Sequence, residues 1–168
     1  MTAKILIAYA TVYGSTREAA EFIAENMKKA GVEVDLLTAR EVKSIAAYRA
    51  VVLGAPLYMF HWHKDAIRFL ARQRKALGSI PAAVFALGPF HNKEDELQSA
   101  RSMLDKELTG YPWFTPLSKG VFVGRFDPDL LRFPYSWIGP IKKMPASDER
   151  DWDVVSAWCE DLRQQLAL

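Results

Sequence analysis

The sequence predicts an α/β fold in which a five-stranded parallel sheet lies between two layers of helices. Two observations lead to this prediction. Apolar runs typical of strands covered on both faces alternate with helical patterns, and the intervals between them suit right-handed crossover connections. The chain has 168 residues, 50% of them hydrophobic, which is enough to bury one substantial core. We therefore expect a single domain over residues 1–168.

Five apolar runs are predicted to be the strands of this sheet. In chain order they are Lys4–Tyr9, Glu33–Leu37, Ala50–Gly54, Ala82–Leu87 and Leu117–Val123. Five strands joined by crossovers fit the doubly wound order 2-1-3-4-5. Ligands of such sheets bind beyond the carboxyl ends of the strands, so we expect the loops after the first, third and fourth strands to converge on one site.

Four helical patterns connect or follow these strands. They cover Thr16–Ala30, Lys64–Leu77, Glu94–Leu108 and Asp151–Leu166. A glycine stands just beyond each of the first three, as is usual after a helix C-terminus. Residues 42–48 are compatible with a short helix or with irregular structure. Residues 124–147 form an insertion between the last strand and the last helix that a minimal fold of this kind does not need.

The first predicted strand leads directly into a turn rich in hydroxyl groups. Thr11, Ser15 and Thr16 surround Gly14 at the point where a helix begins. The first turn of a helix has unpaired N–H groups and the positive end of the helix dipole, so it attracts anions. The turn has neither the Gly-Lys-Ser/Thr ending of a Walker loop nor three spaced glycines. It suits a compact monophosphate, and the alternative is a helix cap with no ligand.

The loops after the third and fourth strands are also unusual. The first of them, residues 54–63, is dense in aromatic and polarizable side chains where polar turn residues are common. The second contains Gly88, which permits close approach of a ligand to the backbone. A buried aromatic cluster is the alternative interpretation, although the interleaved His61, His63 and Lys64 are difficult to bury.

Three motifs resemble the flavodoxin superfamily, and the similarity extends over the whole chain. They are A-Y-A-T-V-Y-G-S-T-R-E-A-A at residues 8–20, G-A-P-L-Y-M-F-H-W-H-K at residues 54–64 and the less specific D-E-R-D-W at residues 148–152. Within the superfamily, the chain is most similar to the branch that contains the menaquinone-dependent protoporphyrinogen oxidase. The resemblance implies a flavodoxin-like three-layer sandwich, FMN as the cofactor and electron transfer through it.

The resemblance also implies which residues bind FMN. The residues expected at the phosphate are Thr11, Val12, Tyr13, Gly14, Ser15 and Thr16. Those expected against the flavin ring are Pro56, Leu57, Tyr58, Met59 and Trp62, and those along its pyrimidine edge are Leu87, Gly88, Pro89, Phe90 and His91. Electron transfer needs no catalytic side chain. If a substrate also exchanges protons, the candidates are His61, His63 and His91.

Charge and the insertion bear on the kind of redox protein. With 22 basic and 20 acidic residues, the chain differs from the strongly acidic carriers of the family. The insertion mixes large apolar side chains with Arg and Lys, which suits an anionic membrane edge or a hydrophobic, carboxylate-bearing substrate such as a porphyrin. A flap folded over its own sheet edge explains the same composition. Two functions stay open: a carrier that serves a redox partner protein, and an oxidoreductase acting on quinone or protoporphyrinogen IX.

Several classes of protein are disfavoured. The single cysteine, Cys159, cannot form an internal disulfide, and no apolar stretch is long enough to span a membrane. We expect a cytoplasmic protein, with peripheral contact to the inner membrane face through the insertion as an open alternative. No metal site is expected, because the three histidines lack further ligands at the usual spacing. No nucleic-acid partner is expected, and the oligomeric state is left open.

Overall fold

The computed structural model describes residues 4–58, 61–131 and 137–168, with residue 141 described by its backbone alone. The elements follow in the order β1 (Lys4–Tyr9), α1 (Ser15–Lys29), β2 (Glu33–Thr38), β3 (Ala50–Tyr58), β4 (His61–Trp62), α2 (Lys64–Leu77), β5 (Ala82–Leu87), α3 (Glu94–Leu108), β6 (Ser118–Phe122), β7 (Arg125–Phe126), a 3₁₀ turn (Pro128–Leu130), α4 (Gly139–Lys142), β8 (Ser147–Asp148) and α5 (Trp152–Leu166).

The central sheet has the strand order β2-β1-β3-β5-β6, and these five strands are parallel. The two-residue strand β4 pairs only with β3, in the antiparallel direction. When β4 is set aside, this is the doubly wound order 2-1-3-4-5, so the predicted fold class is confirmed. The carboxyl ends of β1, β3, β5 and β6 lie side by side at one edge of the sheet.

Hydrophobic cores lie on both faces of the sheet, because successive side chains of a strand point to opposite faces. Ile5 and Ile7 of β1 pack on the face covered by α1 and α5. Leu6 and Ala8, the alternate residues of β1, pack on the face covered by α2 and α3. All four are fully buried, and this double burial explains why β1 is a continuous apolar run in the sequence.

The third strand is longer than predicted, and the assignment of residues 54–63 to a loop was wrong. Strand β3 stays paired with β5 as far as Pro56, which lies opposite Leu87. It then pairs with β4, with Leu57 opposite Trp62. The predicted loop is therefore largely a hairpin that extends from the sheet edge. At the start of this extension, a Cβ on Gly54 would lie 1.9 Å from the Phe85 ring, so only glycine fits.

Two further regions were ambiguous in the sequence. Residues 42–48 form no helix, although Val42 and Ile45 are buried and fix the segment against the core. The insertion begins and ends in a small antiparallel ribbon, in which Arg125 of β7 pairs with Asp148 of β8 and Phe126 pairs with Ser147. No helix in the described ranges is long and apolar enough to cross a membrane.

Candidate functional site

The turn between β1 and α1 presents free N–H groups at the sheet edge. Gly14 is the N-cap of α1 at φ 89°, a conformation that favours glycine, and it has no side chain with which to cap the helix. The Gly14 N–H closes the turn by donating to Thr11 Oγ1 at 2.9 Å. The first bond inside the helix runs from Glu18 N–H to the Gly14 carbonyl at 3.0 Å. The N–H groups of residues 15–17 therefore have no acceptor within α1 and can bind an anion.

The Ser15 hydroxyl is oriented by the segment that follows β6. Its Oγ accepts a hydrogen bond from the Arg125 N–H at 3.1 Å. A hydroxyl group has one hydrogen to donate and two lone pairs, so the Ser15 hydrogen stays available to a ligand. Thr16 is only 2% exposed and lies at the base of the turn. The turn thus offers hydroxyl and amide donors on one side.

Loops from four strands border a cleft above this turn, which we call the central cleft. It is lined by Thr11, Val12, Tyr13, Ser15, Thr16, Pro56, Leu57, Tyr58, Leu87, Gly88, Phe90, Gly124 and Arg125. All but the last two were predicted as site residues, and Gly14 shapes the turn beneath them. The structure therefore brings the loops after the first, third and fourth predicted strands together, as the strand order requires.

Trp62, Pro89 and His91 were predicted as site residues, but they do not line the central cleft. Trp62 is 2% exposed and its indole N–H donates to the Ala55 carbonyl at 3.0 Å, so it fastens the β3–β4 hairpin to the sheet. Pro89 borders a neighbouring cavity. His91 is bound to Glu96, with 2.9 Å between Nδ1 and a carboxylate oxygen. Met59 lies outside the described residues. Contact of these four with a ligand stays a prediction.

Gly124 and Arg125 were not predicted as part of the site. They follow β6 after one intervening residue, and the carboxyl end of β6 lies at the same sheet edge as those of β1, β3 and β5. A Cβ on Gly124 would lie 3.4 Å from Ser15 Oγ, which shows how closely the two segments pass. The sequence did contain a signal for this part of the site, namely an arginine just after the last predicted strand. The sequence interpretation assigned that arginine to the insertion instead.

Charged groups beside the turn form a network that joins α1 to the β7–β8 ribbon. The Glu18 carboxylate is 3.3 Å from Nη1 of Arg125 and also binds Arg150. Arg150 binds Asp148 through two bonds of 2.7 Å, and its guanidinium lies 4.9 Å from the centroid of the Trp152 ring. The hydrogen bonds from Arg150 lower the pKa of Asp148, and those to Asp148 and Glu18 raise the pKa of Arg150. Glu18 is therefore held by two arginines.

A second, larger space opens beside the central cleft, and we call it the outer cavity. Its volume is about 570 Å³, within the range of small-molecule sites. The β3 end, α3 and the insertion enclose it: its lining includes Leu57 and Tyr58, Gly88 to Phe90, Asp95, Glu96, Ser99, Ala100 and Met103, and Arg125 to Asp127 with Leu130, Leu131 and Met144. Tyr13, Tyr58 and Phe90 border both spaces, so the two are adjoining.

His63, Asp65 and Arg40 form a second polar cluster at the start of α2, on the opposite side of the turn. The ring Nδ1 of His63 accepts from the Asp65 N–H at 3.1 Å and so caps the helix, while burial lowers the pKa of His63. A neutral His63 that accepts at Nδ1 carries its hydrogen on Nε2. Arg40 binds Asp65 at 2.8 Å. No group of residues with the makeup of a metal site is found within the described ranges.

Comparison with known proteins gives consistent results. Residues 6–150 match the flavodoxin domain family. The protoporphyrinogen IX dehydrogenase (quinone) of Escherichia coli K12 is 27% identical over an alignment of 176 positions. The alignment covers 95% of this chain and 94% of that protein. A short-chain flavodoxin associated with a bacterial microcompartment has the same fold, with a TM-score of 0.61, 13% identity and coverage of 98% and 99%. So does a flavodoxin of Streptococcus pneumonia TIGR4, with a TM-score of 0.60, 17% identity and coverage of 97% and 99%.

Proposed function

Because this chain belongs to the flavodoxin family, whose members bind FMN for electron transfer, we propose that it is an oxidoreductase with FMN in the central cleft and a substrate in the outer cavity. The substrate that fits best is a quinone. FMN supplies the redox chemistry, and the protein provides position, exclusion of water and electrostatics. When bound in its reduced form, FMNH2 would supply the two electrons and two protons that convert a quinone to a quinol, and the residues of the protein would hold the two molecules side by side.

The residues of the central cleft fit the phosphate end of FMN and one side of its ring. The cleft by itself has a volume of only about 80 Å³, so the rest of the ring would extend into the adjoining outer cavity. The unpaired N–H groups of α1 and the Ser15 hydroxyl supply donors of the kind that a phosphate dianion requires. The flat ring needs apolar faces, and the cleft offers Leu57 and Tyr58 on one side and Phe90 on the other. The loop at Gly88 passes close to the hairpin, because a Cβ there would lie 3.2 Å from Leu57 Cδ1. The opening is therefore narrow, as the binding of a planar group requires.

The outer cavity is the observation that favours an enzyme over a carrier. A carrier needs only an exposed edge of its cofactor against a partner protein. Here the insertion and α3 enclose a space of about 570 Å³ next to the cleft, with Leu131, Met103 and Met144 among its lining. A cavity of this size and composition accommodates a small apolar molecule within electron-transfer distance of a bound flavin.

Charge in the outer cavity favours a quinone over a porphyrinogen as its occupant. Three carboxylates, those of Asp95, Glu96 and Asp127, line the cavity, and Arg125 is the basic residue among its described lining. Asp127 also accepts a hydrogen bond from the Asp129 N–H, which fixes it in place. A substrate with propionate groups would place like charges close together, whereas an uncharged quinone ring and its apolar tail would not. Protoporphyrinogen, which the name of the relative includes, is the second candidate.

We also propose that the insertion contacts an anionic membrane surface, from which an apolar quinone would enter. Trp137 is 81% exposed and Ile138 is 40% exposed. Lys142 and Lys143 follow within the same segment and are exposed to solvent. An exposed tryptophan with adjacent lysines is typical of peripheral membrane contacts. Met144 of this segment borders the outer cavity, and this supports the proposal that the quinone enters from the side of the membrane contact.

The enzymatic proposal is tested by anaerobic reoxidation. The FMN-loaded protein is photoreduced and mixed with increasing concentrations of a short-chain menaquinone analogue, and the flavin absorbance is followed. We expect a reoxidation rate that saturates with quinone concentration. A rate that stays linear in quinone, together with two resolved one-electron steps in a reductive titration, would instead indicate a carrier. If the rate of flavin reduction saturates with protoporphyrinogen and the reduced flavin does not react with quinone, protoporphyrinogen is the occupant of the outer cavity.

Two variants of α3 test the location of the substrate. Ser99 lines the outer cavity, whereas the adjacent Gln98 does not, and both residues are exposed on the same helix. Ser99→Trp should raise the KM for quinone at least about tenfold, because the indole occupies part of the cavity. Gln98→Trp is the matched control and should leave the KM unchanged. Equal KM values in the two variants would place the quinone elsewhere, and an unchanged Kd for FMN verifies that the cleft is intact.

A further inference from the structure

Arg125 occupies the boundary between the central cleft and the outer cavity, and it lines both. Its backbone is fixed twice, by the hydrogen bond from its N–H to Ser15 Oγ at 3.1 Å and by the pairing of β7 with β8. Its side chain is 33% exposed, so the guanidinium can move in the cleft while the backbone stays in place. The Ser15 contact also places Arg125 at the turn where the anion is expected.

The ion pairs around Glu18 allow this movement without leaving a charge unpaired. Glu18 is bound by both Arg125 and Arg150. Arg150 is the better fixed of the two, since its side chain is only 10% exposed and is held by Asp148 through two bonds of 2.7 Å. If Arg125 leaves Glu18, the carboxylate keeps Arg150 as its partner. The Arg125 contact with Glu18 can therefore be exchanged for another anion.

We propose that Arg125 is a phosphate ligand whose guanidinium moves from Glu18 to the phosphate of the bound cofactor. This inference rests on the proposed binding of FMN in the central cleft. A phosphate dianion at the start of α1 would be within one helical turn of Glu18, and the repulsion between it and the carboxylate would require a compensating positive charge. The planar guanidinium suits a phosphate because two parallel N–H groups can bind two oxygens. Arg125 thereby makes the chain selective for FMN over riboflavin, which lacks the phosphate.

The test compares the affinity for FMN with that for riboflavin. Both dissociation constants are measured by flavin fluorescence quenching for the wild type, for Arg125→Gln and for Arg101→Gln. The last is a matched control, because Arg101 pairs with Glu94 at 2.7 Å on the exposed face of α3 and lines neither space. We expect Arg125→Gln to raise the Kd for FMN about tenfold, the usual scale for a lost charge-assisted hydrogen bond, and to leave the Kd for riboflavin unchanged. Arg101→Gln should change neither.

A second background separates a phosphate ligand from a merely structural arginine. If Arg125 acts only by holding Glu18, then Arg125→Gln has no effect on FMN affinity once Glu18→Gln has removed that carboxylate. If Arg125 binds the phosphate, the loss of FMN affinity persists in the Glu18→Gln background. Arg125→Lys keeps the charge without the planar fork and should give a Kd between those of the wild type and Arg125→Gln.

The outcomes distinguish this inference from the proposal on which it depends. A wild type that binds no FMN would overturn the proposed function and the role of Arg125 together. A wild type that binds FMN while Arg125→Gln loses affinity for FMN and riboflavin equally would overturn the role of Arg125 alone. Higher salt should weaken FMN binding to the wild type more than to Arg125→Gln, because the variant has one charge fewer at the phosphate.

Discussion

At the scale of single residues, the site depends on groups whose hydrogen-bonding capacity is partly used by the protein. The Ser15 hydroxyl accepts from the Arg125 N–H, which leaves its hydrogen free, and Thr11 Oγ1 accepts from the Gly14 N–H. Each contact fixes a donor or a turn before any ligand arrives. Binding then requires little rearrangement of the backbone, and this lowers the free-energy cost of ordering the site.

A charge introduced at Ser15 should abolish binding of the phosphate. Ser15→Asp places a carboxylate at the start of α1, and its repulsion of the phosphate should raise the Kd for FMN at least about a hundredfold. Ser15→Asn is the control, because asparagine has nearly the same size as aspartate but is neutral, and it should raise the Kd for FMN far less. Fluorescence titration with FMN and with riboflavin measures the effect. Tight binding of FMN to Ser15→Asp would show that the phosphate lies elsewhere.

At the scale of elements, the β3–β4 hairpin shapes the site. Strand β3 leaves the sheet after Pro56 and pairs with β4, and this presents Leu57 and Tyr58 to the central cleft. Trp62 holds the hairpin from below through its bond to the Ala55 carbonyl. Its indole is buried against residues such as Phe69 and Leu70 in the core between the sheet and α2. The paired strands of the hairpin are thus fastened to the sheet by Trp62.

The indole N–H of Trp62 can be tested against that of a second tryptophan. Trp62→Phe and Trp158→Phe each remove one indole donor, the first bound to Ala55 and the second to Ser118 Oγ at 2.9 Å. Each variant should lose about 1 kcal/mol of unfolding free energy, the typical net contribution of such a bond. Only Trp62→Phe should also weaken FMN binding, because Trp158 packs on the α5 side of the sheet and lines neither the central cleft nor the outer cavity. Denaturant unfolding measures the stability and FMN titration measures the affinity. Equal FMN affinities of the two variants would show that the Trp62 hydrogen bond does not support the binding site.

Long regular elements could be predicted from the sequence. Short strands, and the part of β3 whose length depends on pairing with other strands, could not. The bounds of α2, α3, β1 and β5 agree with the sequence prediction to the residue. The two helices have an unbroken helical pattern with clear terminal signals, and the two strands are continuous apolar runs. The extension of β3 depends on pairing with β5 and β4, which are distant or too short to show a pattern. Arg125 was missed for a related reason: its place at the site follows from the adjacency of β6 and β5, which is a property of the sheet.

At the scale of the whole molecule, charge and apolar exposure are unevenly distributed. The formal net charge is only +2, yet the insertion contains the exposed Lys142 and Lys143 a few residues after the exposed Trp137 and Ile138. The outer cavity, which Met144 of the same insertion borders, is lined by three carboxylates. A basic, apolar surface and an acidic, partly apolar interior therefore occur together. This arrangement matches a protein that binds an anionic surface and takes an uncharged molecule from it.

Removal of Trp137 should weaken membrane binding in particular. Trp137→Ser should lower partition onto vesicles that contain anionic lipid about tenfold, because the indole no longer inserts between the headgroups. Val154→Ser is the control, since Val154 is 52% exposed on α5, outside the insertion. Co-sedimentation with anionic and with neutral vesicles measures the partition. Equal binding of the two variants, or of the wild type to both kinds of vesicle, would argue against a specific contact.

The β7–β8 ribbon has a consequence for how this protein can change. Its two strands bring the ends of the insertion side by side, so Asp127, which follows β7, and Ala146, which precedes β8, flank the same ribbon. The entropy cost of closing such a loop grows only slowly with its length. Residues can therefore be gained or lost in this segment with little effect on β6 or α5. The ribbon makes the insertion a replaceable module, through which a common electron-transfer domain can acquire new substrates in evolution or by engineering.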